Sequence, residues 1–161
     1  MEEGQEQTFQ LGLERAPQFL PDLIAKGTVL EKPPEYAFTP RYDGFFHRRR
    51  VRSGTFRVRN QSPWFQSASR TADLLQGIPS VRVSSSGGIT TVAFPGCKGG
   101  ASTKVAVWID GSRVMTDDHN YALDYVSAAD IGMIEVYRRG GQIPAEFLSD
   151  ACAAIVIWTR W

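Results

Sequence analysis

Apolar and polar positions change period several times along the chain. From Ile131 to Arg138 they alternate, with Met133, Glu135 and Tyr137 in one phase and Ile134, Val136 and Arg138 in the other. A period of two predicts a half-buried strand. Gly140-Gly141 ends it, because glycine reaches the backbone angles of a tight bend. Ala153 to Thr159 is instead almost continuously apolar around Ile155-Val156-Ile157, the pattern of a strand covered on both faces. Further upstream, Thr55-Phe-Arg-Val-Arg59 alternates like a first strand. Ser67 to Gln76 predicts a helix, capped by Ser67 or Ser69 and stopped by Gly77-Ile-Pro79. Val81–Val83 and Ile89–Phe94 predict a pair of strands around a Ser/Gly turn, and Val105–Ile109 a central strand whose Asp110-Gly111 turn leads into Ser112–Met115. A short helix from Tyr121 to Val126 then precedes the closing strands. The expected fold is α+β: a mixed β-sheet with two short helices.

The leading residues follow no such pattern. Residues 1–40 hold seven acids against three bases, a balance of −4, and Pro17, Pro21, Pro33, Pro34 and Pro40 leave room for at most one short helix near Pro21–Ala25. Their many apolar residues, among them Phe9, Leu20, Ile24 and Tyr36, are too numerous for a solvated tail. An extended N-terminal arm over residues 1–43, lying on its own domain or on a partner, satisfies both observations. Residues 41–60 reverse the charge, with seven arginines against Asp43 alone. Phe45, Phe46, Arg48, Arg49, Arg50 and Arg52 suit docking onto an acidic surface, either anionic lipid headgroups or the carboxylates of a membrane complex. The same charges equally suit a solvated strand edge kept from aggregating.

Four stretches, in order, resemble the plug domain of TonB-dependent receptors: Thr71-Ala-Asp-Leu-Leu-Gln-Gly-Ile-Pro-Ser-Val-Arg-Val83, Val105-Ala-Val-Trp-Ile-Asp-Gly-Ser112, Ile134-Glu-Val-Tyr-Arg138, and Cys152-Ala-Ala-Ile-Val-Ile-Trp-Thr-Arg160. The resemblance covers residues 44–161 and implies a plug-like domain there. It also implies a cysteine at each of the places held by Cys97 and Cys152. These are either paired, which calls for an oxidising compartment, or two reduced and buried small hydrophobes.

Length and composition exclude little. The 161 residues suit one domain, and a net charge of +1 gives no general attraction to nucleic acid. No apolar run approaches a bilayer span, and the start, Met1-Glu-Glu-Gly-Gln-Glu-Gln7, is not a signal peptide. That places the protein at the periphery of a membrane on the cytoplasmic face, or in the periplasm if a leader has been removed. His47 and His119 are the only histidines; no nucleophile elbow, Rossmann fingerprint or Walker spacing occurs, and Glu135 and Glu146 read as scattered surface carboxylates. Asp117-Asp118-His119 lacks a further spaced ligand for a metal and reads as a loop capping the next helix. Catalysis, cofactors, metals, small-molecule substrates and nucleic acid are therefore not expected. Trp64 and Trp161 add exposed aromatics to an interface. The expected role is a non-catalytic subunit docking on a large membrane complex. The size and plug-like character resemble the small extrinsic subunit of a bacterial photosynthetic reaction centre–light-harvesting complex. The alternative is a plug or ligand-binding module related to a TonB-dependent outer-membrane transporter.

Overall fold

The computed structural model describes residues 40–51, 54–97, 104–138 and 142–160. The arm over 1–43, apart from its last four residues, lies outside them, as do Arg52 and Trp161. The described residues form an α+β domain on a five-stranded mixed sheet. Its strands are β1 (Thr55–Val58), β4 (Val105–Ile109), β5 (Ser112–Arg113), β6 (Ile131–Arg138) and β7 (Ala153–Thr159), in the order β1-β6-β7-β4-β5. All neighbours are antiparallel except β4 and β7. A separate antiparallel hairpin joins β2 (Arg82–Ser86) to β3 (Ile89–Ala93). Three short helices, α1 (Asp43–Val51), α2 (Trp64–Ser67) and α3 (His119–Leu123), complete the frame with several 3-10 turns.

The sheet separates two cores. One face presents Val105, Val107, Ile134, Val136, Ile155 and Ile157 to Phe65, Leu74, Leu75, Val92, Phe94 and Leu123. The other presents Val58, Met133, Tyr137, Val156 and Trp158 to Tyr42, Phe45, Ile143 and Phe147. The continuous apolar run of β7 is buried at every position, as its composition predicts. The half-buried reading of β6 is corrected: residues 131–137 are all buried. Its second face is closed by α1 and the 142–147 segment, neither of which alternation within β6 can announce. The register of β6 against β7 shifts between Ile131 and Met133, which inserts Gly132 as an extra residue. The shift lets Ile131 join the first core while Met133 joins the second.

Local chemistry explains where helices form and stop. In α1, Asp43 sits in the first turn and Arg48, Arg49 and Arg50 in the last, each on the favoured end of the helix dipole. The arginine cluster, weighed in the sequence as a docking patch or a solvated strand edge, thus begins in a helix. The helix expected over 67–76 is replaced by α2 and a 3-10 turn at Thr71–Leu75. Asp73 accounts for the break, because its carboxylate accepts from the main-chain N–H of Ser69 at 3.0 Å and Arg70 at 2.9 Å. Asp110 and Gly111 both have positive φ, 52° and 83°, as a two-residue hairpin turn requires. Helix α3 begins two residues before its expected start, capped by Asp118, whose carboxylate accepts from Asn120 N–H at 2.9 Å. That bond holds the Asp118 pKa below the ordinary carboxylate range. Cys97, at the end of a 3-10 turn, is disulfide-bonded to Cys152, just before β7.

Two outcomes follow. Asp118→Ala should lower stability by about 1 kcal/mol near neutral pH. Because the folded pKa is depressed, the difference from wild type should vanish as pH falls through it, as urea denaturation at a series of pH values would show. Replacing both cysteines by serine should cost about 4 kcal/mol on the chain-entropy model, given the 55-residue separation, and lower the thermal midpoint accordingly.

Candidate functional site

The polar centre of the domain is the side chain of Glu135. It lies mid-way along β6, between Met133 and Tyr137 on the second face, and is completely buried. A carboxylate there cannot remain ionised without a countercharge and hydrogen bonds. Arg48 of α1 supplies the countercharge as a two-pronged pair, Nε donating to Oε2 at 2.8 Å and Nη2 to Oε1 at 2.6 Å. Tyr137 Oη donates to Oε2, and Trp158 Nε1 to Oε1 at 2.6 Å. The remaining Nη1 of Arg48 pairs with Glu146, which is half-exposed at the rim. The guanidinium also lies over Phe147, 4.9 Å from the ring centre, and 5.9 Å from that of Trp158. Burial is the largest single influence and works against the charged form of Arg48, but the hydrogen bond and charge of Glu135, with the charges of Tyr137 and Glu146, together outweigh it and the pKa is raised. Gly44, one turn back in α1, faces this guanidinium; a Cβ there would approach Nη1 to 2.7 Å. The pairing fixes the guanidinium, so position 44 has no room for a side chain.

Three more arginines, Arg57, Arg59 and Arg41, are also bonded within the domain. Arg57 donates to Leu74 O at 2.7 Å and to Gln76 O, and stacks on Trp64 at 5.0 Å. Arg59 donates to Ile131 O at 2.7 Å and to the carbonyls of Ala128 and Ala129, and stacks on Phe65 at 4.8 Å. Leu74 and Gln76 lie at the end of one 3-10 turn and Ala128 and Ala129 in another, where main-chain acceptors are often left over; Ala128 O also accepts from Ile131 N–H, and Ile131 opens β6. Arg41 pairs with Asp110 and donates to Thr159 Oγ1 at 3.0 Å. Asp110 accepts in turn from Thr159 N–H at 2.9 Å and Oγ1 at 2.7 Å, so it ties β4 to β7 besides making its turn. Burial lowers the pKa of Arg49 and of Arg57.

The expected docking set is dispersed by this geometry. Phe45 and Arg48 face the interior and cannot meet a partner, because α1 lays them against the second face of the sheet. Phe46 is half-buried beside Phe45, Arg49 donates to Gln61 at 2.5 Å, and Trp64 is half-buried under Arg57. Arg50 alone of the described members is exposed. Glu135 and Glu146, read as surface carboxylates, are the two acids that Arg48 joins. The missed signal is an acid in a phase otherwise held by Met133 and Tyr137, which demands a buried cation nearby. Chemically the cluster is saturated: the Glu135 carboxylate carries two guanidinium bonds, a phenol and an indole. It has no free lone pair with which to take a proton from a ligand.

The family model of the TonB-dependent receptor plug domain matches residues 59–154, from the turn after β1 into β7. The chain belongs to the plug-domain family. Glu135, Tyr137 and Asp110 lie inside the matched span of this plug domain, whereas Arg48 comes from ahead of it. Among solved structures, the siderophore receptor PirA from Acinetobacter baumannii is similar at 14% identity with a TM-score of 0.46. The alignment covers 68% of the plug-domain chain and 18% of the receptor, so the chain spans less than a fifth of that protein's length. No curated protein matches the chain. Among the described residues, no helix is long and apolar enough to cross a membrane.

The pair is testable by a double-mutant cycle. Arg48→Met and Glu135→Leu should each cost about 3–5 kcal/mol, because each strands a buried charge. The double variant should lose clearly less than the two combined, as read by urea unfolding; additive losses would show the two side chains to be uncoupled.

Proposed function

We propose that this plug domain is a non-catalytic contact module, related to the plugs of TonB-dependent outer-membrane transporters and seated against a β-barrel, on the same polypeptide or another. The observation that carries the reading is the family match over residues 59–154. The polar centre supports it, since Glu135 and Arg48 spend their hydrogen-bonding capacity on holding α1 to the sheet. Domains of this kind act by shape and surface. The Cys97–Cys152 disulfide favours the periplasm or another oxidising compartment over the cytoplasmic face. Nothing in the fold or the site favours a photosynthetic complex over other membrane assemblies, and that narrower reading is dropped.

The test is isolation of the chain from detergent-solubilised membranes. The expected result is recovery from the outer-membrane fraction in one high-mass complex that contains a β-barrel. Because Arg41, Arg48, Arg57 and Arg59 are engaged within the domain, salt near 1 M, where the screening length is about 3 Å, should not strip it. Recovery as a free monomer, or in an assembly without a barrel, would overturn the reading.

A further inference from the structure

The β2–β3 hairpin turns at Gly87-Gly88, whose φ values of 57° and 81° belong to a two-residue turn flanked by Ser86 and Ile89. Main-chain bonds alternate along an antiparallel ladder. With Ser86–Ile89 bonded, Ser84–Thr91 and Arg82–Ala93 are bonded too, and Val83, Ser85, Thr90 and Val92 direct their N–H and C=O groups away from the hairpin. On β3 this outward row is met by α3. Val92 N–H donates to Asn120 Oδ1 at 2.6 Å, and Val92 O lies 2.7 Å from His119 Nε2. Nothing equivalent covers β2: among the described residues, the main-chain groups of Val83 and Ser85 have no hydrogen-bond partner.

A groove of about 810 Å³ is lined by Val83, Ser85 and Arg82 of β2 together with Trp64, Gln76 and Gly77, and reaches Ala93 and Pro95 at the end of β3. Its aromatic wall is held in place. Arg57 stacks on the Trp64 ring, and Gly77 lies so close that a Cβ there would come within 3.0 Å of the indole. Arg82 is the one charged side chain among the described residues that line the groove. An open strand edge templates pairing with another chain, and the short β5, with two residues, offers far less of one.

We propose that β2 is a strand-addition site for a partner polypeptide. An extended segment would join the hairpin as a third strand through the main chain of Val83 and Ser85. It would lay an apolar or aromatic side chain on Trp64 and set a carboxylate opposite Arg82. This surface is separate from the Glu135 network, and the inference does not rest on the barrel reading.

The probe is a phage-displayed library of random peptides of about 12 residues, enough for one strand, selected against the full chain. Enriched sequences should alternate apolar and polar positions, carry Asp or Glu, and lack internal proline. On binding, amide exchange at Val83 and Ser85 should slow by about tenfold or more, with no change at β1 or β5. Ser85→Pro removes an outward donor and leaves the ladder to β3 in place, so it should weaken binding at least about tenfold while the spectrum of β6 and α3 stays unchanged. Trp64→Ala should weaken it similarly. No enrichment, wild-type affinity retained in both variants, or protection appearing at β1 or β5 would overturn the proposal. The exchange pattern of the wild-type chain decides the matter even if a variant misfolds.

Discussion

An ionised carboxylate in the middle of a sheet, out of reach of water, governs how this domain closes. Glu135 is fully buried, so the elements around it must bring a cation and hydrogen-bond donors to a single point. That requirement places α1, which carries Arg48. It also sets the side chains of Tyr137 and Trp158, which complete the shell, and brings Glu146 to the rim. Aromatic packing follows from the same placement: Phe45 meets Phe56 edge-on at 5.6 Å, and Tyr42 meets Trp158 at 6.1 Å. A greasy pair in place of Arg48 and Glu135 could fill the volume, but it would fix neither the rotation nor the register of α1 against β6.

The same economy recurs where the chain is irregular. The domain uses short helices and 3-10 turns, and such elements end on carbonyls that no ladder satisfies. Arg57 and Arg59 donate to main-chain carbonyls at or beside such turns and lean on Trp64 and Phe65, so each guanidinium both bonds and packs. Arg41, Arg48, Arg49, Arg57 and Arg59 of the arginine-rich region are therefore engaged within the domain, and Arg50 is left exposed. Among the described residues, the β2–β3 hairpin and single side chains such as Arg50 stand exposed.

The strands were legible because periodicity reports directly on them. The apolar run of β7 and the β4 segment before Asp110-Gly111 appear where the pattern places them, and the hairpin is found too, although its first strand continues three residues past Val83 through the serines expected to turn. The family resemblance was legible for the same reason, being carried by those strands. What stayed hidden depends on distant residues. Alternation in β6 marks two phases, but whether the second is wet depends on α1, some 80 residues earlier. A run of arginines looks alike whether its partners are lipids or carbonyls of the same chain; only tertiary placement separates Arg48, buried at Glu135, from Arg50, left in solvent. Helix ends were misjudged at Asp73, where a side chain competed with the backbone for two N–H groups.

The bridge from Cys97 to Cys152 turns the chain into a ring with a tail on each side, the second carrying β7. The ring holds β4, β5, α3 and β6, while α1, β1 and the β2–β3 hairpin precede it. Drawn out by its two ends, the oxidised protein could unravel only outside the ring. The 55 residues between the sulfurs would keep back roughly 190 Å of contour at about 3.4 Å per residue. Strands β4, β5 and β6 would thus be shielded from the load while β7, which follows Cys152, would not, and reduction would release that hidden length.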